Sequence, residues 1–222
     1  KAFLGWKLNK VEVEVSGLAQ AIGDNGGMIV PALRTELDLG LSDVRGNINT
    51  QLMSDGTGNS GKDITGLFAA IADTGTYAGL DRGTYTWWKS YVSANGGTPR
   101  NLTEELIRTV KSTVEARGGR VTAIYAGSSQ WYRYGDLLRA ERRQQNPATL
   151  TGGYQALDFE GVPLIKVPGY PQTRMDFVNE ELLEYMVLKD FEAKPMAKTK
   201  DSDVIWITHY SQLVCRNPYR MG

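Results

Sequence analysis

MIVPALRTELDLGLSDVRGNINTQLMSDG, the stretch from Met28 to Gly56, carries the longest helical repeat in the chain. Apolar side chains recur in it at steps of three or four residues, at Leu33, Leu37, Leu41, Val44, Ile48 and Leu52. This spacing places them on one face of an α-helix. Pro31 suits a first helical turn, and Gly56 suits a position just after a helix end. The stretch therefore predicts one long amphipathic helix, a spine for the rest of the fold.

Two glycines lie inside this predicted helix. Gly40 and Gly46 each cost about 1 kcal/mol relative to alanine in a helix interior. We therefore expect a neighbouring helix or chain to come close at both positions. The face opposite the apolar stripe is charged, so the helix should pack on a sheet or a second helix and should not cross a membrane.

The bulk composition is that of a folded globular protein. Of the 222 residues, 41% are hydrophobic and 23% are charged, and 25 basic residues balance 25 acidic ones. A net charge of zero excludes a global field that attracts nucleic acid or an anionic membrane, and it leaves self-association unopposed. The single cysteine, Cys215, excludes an intramolecular disulfide. It lies in an apolar run, which predicts a buried, reduced thiol and folding in a reducing cytoplasm.

Before the helix, the sequence predicts an extended arm. The segment Lys10–Leu18, KVEVEVSGL, alternates valine with glutamate at Val11, Val13 and Val15, which is the period of a strand with one wet face. The preceding AFLGWKL adds Trp6. We expect this arm to be half of a long hairpin whose other half lies upstream of Lys1. Having little core of its own, it should rest on another surface.

After the spine helix, strands and helices mix without a regular alternation. Leu80–Val92 is rich in aromatic and β-branched residues and predicts a strand, with Trp87 and Trp88 on opposite faces. A second helix should begin at Asn101 as its cap, with Glu104 at the third helical position, and the chain then predicts a short buried strand at Val121–Ala126.

The C-terminal half predicts one more helix and further strands. The helix follows Ser128 or Ser129 and carries Arg139, Arg142 and Arg143 near its end, where a solvated helix end or an inter-subunit salt bridge explains them best. A hairpin should turn at Glu160-Gly161, with Pro163 confining its second strand to an edge or a bulge. Asp203–Val214 predicts a long strand that returns beside the spine helix. The mixture favours the α+β class.

One segment looks like an enzyme motif. Gly56–Asp63, GTGNSGKD, matches the first seven positions of a phosphate-binding P-loop and fails at the eighth, where Asp63 replaces the Ser or Thr that holds Mg²⁺. A P-loop also follows a buried strand, whereas this segment follows a predicted helix. Nucleotide binding is therefore disfavoured, although it stays a remote alternative.

Other candidate catalytic groups are sparse. His209 is the only histidine, which excludes multi-histidine metal sites, and its place in an alternating strand predicts a hydrogen-bonded structural role. A Cys–His nucleophile from Cys215 and His209 is disfavoured because they are not adjacent in sequence. Trp87 and Trp88 fit buried or interface anchors at least as well as a ligand-stacking platform. The sequence predicts no catalytic residues, no cofactor and no metal site.

Taken in order, these features resemble the major capsid proteins of tailed bacteriophages with the Hong Kong 97 fold. The resemblance rests on the valine–glutamate arm, the spine helix, and the sequences LMSDGTGNSGKDITGL from Leu52, TYAGLDRGTYTWW from Thr76, FEGVPLIKVPGYP from Phe159 and MDFVNEELLEY. It implies the end of an extended loop at residues 1–27, a peripheral domain at 28–100, an axial domain at 101–194, and a C-terminal return to the peripheral domain at 195–222.

The resemblance also implies a function. Such subunits form the hexamers and pentamers of an icosahedral shell that encloses phage double-stranded DNA, with scaffolding, portal or decoration proteins as further possible partners. It implies assembly in the bacterial host cytoplasm, a final location in the virion capsid and no membrane partner. Lys1 as first residue fits an N-terminal segment that is cleaved or disordered. Candidate interface residues are Trp6, Val11, Val13, Val15, Gly40, Gly46, Trp87, Trp88, Arg139, Arg142 and Arg143. An encapsulin-type nanocompartment shell is the nearest alternative.

Overall fold

A computed structural model describes residues 1–18, 32–141, 148–149, 155–197 and 201–222. The chain divides into two compact units. One, the spine unit, comprises Leu4–Leu67 and Tyr185–Leu213, and the other, the sheet unit, comprises Lys1–Phe3, Phe68–Glu184 and Val214–Gly222. Within the described residues, no helix is both long enough and apolar enough to span a membrane.

The spine unit contains the predicted helix, α1, which runs from Ala32 to Leu52. Val44 and Ile48 are buried, and Leu37, Leu41 and Leu52 are half-buried, so the apolar stripe is confirmed over these positions. The predicted start, from Met28 to Pro31, lies outside the described residues, as does the side chain of Leu33.

A three-stranded sheet accompanies α1 in the spine unit. Its order is β1-β10-β9, with β1 at Lys7–Ser16, β9 at Leu183–Pro195 and β10 at Ser202–Cys215. The predicted C-terminal strand is thus confirmed. Strand β1 pairs antiparallel with β10 from Lys7 opposite Ser211 to Ser16 opposite Ser202.

The predicted alternation in β1 is confirmed, and β1 rests on another surface as the sequence predicts. Val13 and Val15 are 5% and 4% exposed, whereas Glu12 and Glu14 are exposed. The buried face packs on α1. The contact is close at Gly40, where an added Cβ would lie only 2.6 Å from Cγ2 of Val13. In the described sheet β1 pairs with β10 and is an edge strand, so its predicted pairing with a strand upstream of Lys1 stays a prediction.

The sheet unit is built on a five-stranded sheet of order β5-β6-β7-β4-β8. Its helices are α2 at Glu104–Ala116 and α3 at Ser128–Glu141. Its strands are β4 at Ala123–Ala126, β5 at Ala148–Thr149, β6 at Gln155–Phe159, β7 at Val162–Lys166 and β8 at Met175–Val178. Ile107, Val110 and Val114 of α2 pack in one core with strand residues such as Ile124 and Leu164. The antiparallel pair β2, Thr76–Tyr77, and β3, Leu80–Asp81, also belongs to this unit.

Short helical turns complete the two units. They lie at Gly58–Gly61, Leu67–Ala70, Thr86–Trp88, Asn95–Gly97, Glu180–Leu182 and Pro218–Arg220.

The hairpin of β6 and β7 turns where the sequence predicts. Glu160 and Gly161 have φ of 49° and 80°, as a two-residue hairpin turn requires. Of the two alternatives predicted from Pro163, an edge or a bulge, the edge is wrong, because β7 lies between β6 and β4. Pairing with β4 begins only at Leu164, opposite Ile124, so the missing N–H of Pro163 lies just before that ladder and removes no hydrogen bond from it.

Two further sequence predictions are wrong in detail. Only Leu80 and Asp81 of the segment Leu80–Val92 form a strand, and Thr86–Trp88 is a 3₁₀ turn. The cause is Arg82, which is 2% exposed and donates hydrogen bonds to four backbone carbonyls, so the chain wraps around its guanidinium group. The cap of α2 is Thr103 and not Asn101, since the Thr103 side chain accepts from the Leu106 N–H, and Glu104 is the first helical residue.

Candidate assembly surfaces

The sheet unit exposes an aromatic pair. Trp87 is 57% exposed and Tyr85 is 40% exposed, and their rings meet edge to face with centroids 5.8 Å apart. The neighbouring Trp88 is 7% exposed, and its indole N–H donates to the carbonyl of Tyr77 at 3.1 Å. The 3₁₀ turn thus buries Trp88 and exposes Trp87 to solvent. A rigid exposed aromatic side chain on a buried base is typical of an interface anchor.

The N-terminal segment exposes more apolar surface. Phe3 is 78% exposed, and Trp6 and Leu8 are each 47% exposed. Residues 1–6 form neither helix nor strand, and the N–H of Phe3 donates to the carbonyl of Ala78 at 2.8 Å.

The third apolar surface lies on β9 in the spine unit. Its residues Tyr185, Met186, Val187 and Leu188 are between 39% and 59% exposed. In the described sheet β9 is an edge strand. An edge strand with consecutive exposed apolar side chains is a template for pairing with another chain.

The P-loop-like segment is not arranged to hold a phosphate. It follows α1 and not a buried strand, and Asn59 and Ser60 take left-handed φ of 48° and 57°. A Cβ at Gly58 would lie 2.1 Å from the carboxylate of Asp63. The carboxylate of Asp63 therefore lies beside the loop. A bound phosphate would need free backbone N–H groups there, and the negative carboxylate would repel it.

His209 has the hydrogen-bonded structural role that the sequence predicts. Its Nε2 lies 2.9 Å from the hydroxyl of Tyr185, which itself donates to Ser211. The ring stacks on Phe191 with centroids 4.3 Å apart. Burial lowers the pKa of His209, and the nearby carboxylate of Asp190 opposes this shift only in part.

Cys215 is a free, buried thiol, as the sequence predicts. Its Sγ lies 3.9 Å from the sulfur of Met221, and burial raises its pKa to about 11. A thiol with so high a pKa is a poor nucleophile at neutral pH. In the described part of the chain, no three His, Cys, Asp or Glu side chains cluster as a metal site would require.

A match to a known protein family identifies the kind of protein that carries these surfaces. A family model described as SU10 major capsid protein matches residues 8–222. The chain belongs to the SU10 major capsid protein family. This capsid protein family is structural and not enzymatic. A search of characterised protein sequences found no match.

Solved structures similar to this capsid protein confirm the expected Hong Kong 97 fold and the α+β class. The cyanophage A-1(L) capsid asymmetric unit matches with a TM-score of 0.73 and 17% identity, over 96% of this chain and 75% of that one. The SrpI encapsulin complex of Synechococcus elongatus PCC 7942 matches with a TM-score of 0.69 and 14% identity, over 98% and 72%. A structure from Mycobacterium phage Bobi matches with a TM-score of 0.60 and 13% identity, over 98% and 70%.

The capsid protein's predicted interface residues fall into three groups. Trp6, Gly46 and Trp87 are exposed and Val11 is half-buried. Four others, Val13, Val15, Gly40 and Trp88, are buried within the chain itself. Arg139 lies on α3, although its side chain is outside the described residues, and Arg142 and Arg143 lie wholly outside them.

Gly40 and Gly46 have different surroundings, although the sequence gives them the same role. The close neighbour expected at Gly40 is the β1–β10 pair of the same chain, whereas a Cβ at Gly46 would meet nothing within 4 Å. The exposed apolar run of β9 is not among the predicted interface residues, although the apolar sequence YMVL at Tyr185–Leu188 is a signal for it. A contact with another subunit stays a prediction for all the residues above.

Proposed function

We propose that this chain is the major shell subunit of a tailed bacteriophage. It self-assembles into hexamers and pentamers of an icosahedral shell that encloses double-stranded DNA. The observation that carries this proposal is the family match over residues 8–222. The fold shared with a cyanophage capsid subunit supports it.

The surfaces of the two units support self-association. Trp87 with Tyr85, the segment at Phe3 and Trp6, and the edge strand at Tyr185–Leu188 are apolar and exposed. Buried against other subunits, each large side chain would contribute roughly 1.5–3 kcal/mol before the cost of association. Because the net charge is zero, charge repulsion between subunits opposes this packing only weakly. Trp6, Val11, Gly46 and Trp87 are the predicted interface residues that such a contact can use.

The domain assignment stays part of this proposal. The predicted boundaries follow residues 27, 100 and 194, whereas the two compact units divide the chain after Phe3, Leu67, Glu184 and Leu213. We propose that the spine unit supplies the core of the peripheral domain and the five-stranded sheet supplies the axial domain.

The remaining partners follow from the proposed shell. With no net charge, contact with packaged DNA should be non-specific and weak, because binding to the phosphate backbone rests on released counterions. Scaffolding, portal and decoration proteins complete the expected partners. Assembly in the host cytoplasm agrees with a single reduced cysteine.

Electron microscopy of the full-length product from bacteria, with light-scattering mass on the same sample, tests the proposal. Closed shells or capsomer-sized rings are expected, and a protein that stays monomeric with its scaffold co-expressed would contradict it. The variant Trp87→Ala should fold but assemble poorly. Tyr132→Ala is the matched control, because Tyr132 is 55% exposed and yet lies outside the three apolar surfaces. Equal assembly of the two variants would remove Trp87 from the interface.

The encapsulin alternative rests on one observation, the fold shared with the SrpI encapsulin. The content of purified particles separates the two functions. Double-stranded DNA inside particles from infected or induced cells supports the phage shell, whereas a co-purifying cargo protein without DNA supports the nanocompartment.

A further inference from the structure

One exposed turn of the sheet unit contains an asparagine followed directly by a glycine. Asn95 and Gly96 lie in the 3₁₀ turn Asn95–Gly97, and every residue from 92 to 101 is exposed. Asn95 and Gly97 also line a cavity of about 510 Å³, which Met175 lines as well. The turn is therefore an accessible part of the wall of this cavity.

Asparagine is thermolabile because its side-chain amide can react with the backbone nitrogen of the next residue. That nitrogen attacks the amide carbon, and the bond from this carbon to the amide nitrogen breaks. The amide nitrogen takes up the proton of the attacking N–H and leaves as ammonia. The product is a five-membered succinimide ring, which water opens at either carbonyl to give aspartate or isoaspartate. Water is the only co-reactant, and nothing is oxidised or reduced.

The attacking nitrogen must be accessible and must not be occupied in a hydrogen bond. Within the described residues, the N–H of Gly96 donates to no acceptor. The N–H groups of Gly97 and Thr98, by contrast, donate across the turn at 2.9 and 3.2 Å. Gly96 has no side chain to crowd the forming ring, and nothing lies within 4 Å of the position that a Cβ would take. The nucleophile at this turn is therefore unhindered.

Ring closure also requires the backbone of Asn95 to rotate. Asn95, Gly96 and Gly97 have φ of 50°, 63° and 82°, so three successive residues lie in the left-handed region. Besides its backbone hydrogen bonds, the turn is held by Nδ2 of Asn95, which donates to the carbonyl of Thr98 at 3.1 Å. These bonds are exposed, so water replaces each partner that is lost, and such a turn opens locally with ease.

The other described asparagines lack this combination of features. Five of them lie in α1, are buried, or precede a proline, which has no N–H: Asn47, Asn49, Asn9, Asn179 and Asn217. Asn101 is followed by Leu102, which is buried. Asn59 is the best comparison, because it is exposed and has φ of 48°, but its next residue is Ser60 and not glycine.

We propose that Asn95 is a site of spontaneous deamidation, at which the backbone nitrogen of Gly96 closes a succinimide that water opens to aspartate and isoaspartate. The reaction replaces a neutral amide with a carboxylate, so it adds a negative charge to the cavity wall. In the isoaspartate product, the main chain runs through the former side chain and gains a methylene group. The reaction needs no second copy and no partner, so its test does not depend on the proposed shell function.

Mass spectrometry of aged protein tests the proposal. Purified full-length protein is incubated at mildly alkaline pH and digested with trypsin, which releases Asn95 in the peptide Ser90–Arg100 and Asn59 in the peptide Gly46–Lys62. A sample digested before incubation gives the background. The Ser90–Arg100 peptide should gain the mass difference between an amide and a carboxylic acid, in both aspartate and isoaspartate forms. It should convert at least about ten times faster than Asn59, a difference of about 1.4 kcal/mol in activation free energy.

Two variants and the product ratio make the test decisive. Asn95→Gln should abolish the modification of Ser90–Arg100, because the longer side chain must close a larger ring, and the matched control Asn59→Gln should leave it unchanged. Conversion of Asn95 no faster than that of Asn59 would overturn the proposal. Aspartate without isoaspartate would also overturn it, since direct hydrolysis of the amide does not pass through the ring. The second Asn–Gly pair, at Asn25, lies outside the described residues and falls in a separate tryptic peptide.

Discussion

Substituting alanine for each glycine inside α1 tests the packing of the spine unit. At Gly40, the new Cβ would lie 2.6 Å from Cγ2 of Val13 and 3.2 Å from Cδ1 of Ile207. Carbon atoms pack best about 3.5–4.0 Å apart, so roughly 1 Å must open at Val13. Val13 is β-branched and buried, which leaves it little freedom to rotate away. At Gly46, by contrast, nothing lies within 4 Å.

The two substitutions should change stability by different amounts. Both gain about 1 kcal/mol from the helix propensity of alanine over glycine. Only Gly40→Ala pays an overpacking cost of about 1–3 kcal/mol. Gly46→Ala should therefore stabilise the protein by about 1 kcal/mol, and Gly40→Ala should be about 1–3 kcal/mol less stable than Gly46→Ala. Taking the difference removes the shared propensity term.

Urea unfolding of unassembled subunits, followed by far-UV circular dichroism, measures both free energies. The slope of the unfolding free energy against urea concentration should be the same in both variants and the wild type, so that differences in the urea midpoint report differences in stability. Adding Val13→Ala should make Gly40→Ala less damaging and leave Gly46→Ala unaffected, because the coupling exists only across the contact. If Gly40→Ala were as stable as Gly46→Ala, the close packing of α1 on β1 would be refuted.

Three further perturbations test the sheet unit and the buried histidine. Arg82→Met should lower the free energy of unfolding by at least about 3 kcal/mol, because four backbone carbonyls lose a buried donor. Arg82→Lys should also have a lowered melting temperature, because an ammonium group lacks the planar guanidinium's spread of donors. Hydrogen bonds from Lys111 and Arg108 lower the pKa of Glu160, so the stability that its carboxylate contributes is present above the unfolded pKa and is lost as the pH falls through the lowered pKa. Glu160→Gln should therefore cost less than about 1 kcal/mol at neutral pH, and progressively less as the pH falls through that range. Burial lowers the pKa of His209, so folding stability should fall as pH drops below about 6.5, and in His209→Gln that pH dependence should disappear in urea titrations.

The candidate assembly surfaces were only partly predictable from the sequence. A valine–glutamate alternation shows that one face of β1 is buried, but the same pattern results whether the covering body is α1 or another subunit. The sequence therefore predicts an interface at Val13 and Val15, whereas both side chains are buried within the chain. Trp87 and Trp88 are adjacent and chemically identical, and only the 3₁₀ turn around Arg82 decides that Trp88 is buried and Trp87 exposed.

By itself the sequence determined the elements whose signal is local. The spine helix, the alternation of β1, the hairpin at Glu160-Gly161 and the final strand β10 follow from backbone periods and from turn residues that tolerate positive φ. Only the tertiary structure decided which elements meet. The pairing of Lys7 with Ser211, the inner position of β7 despite Pro163, and the cavity beside Met175 depend on contacts between residues far apart in the chain. A periodic pattern records that a side chain is buried, whereas the identity of its neighbour is set by the packing of the whole chain.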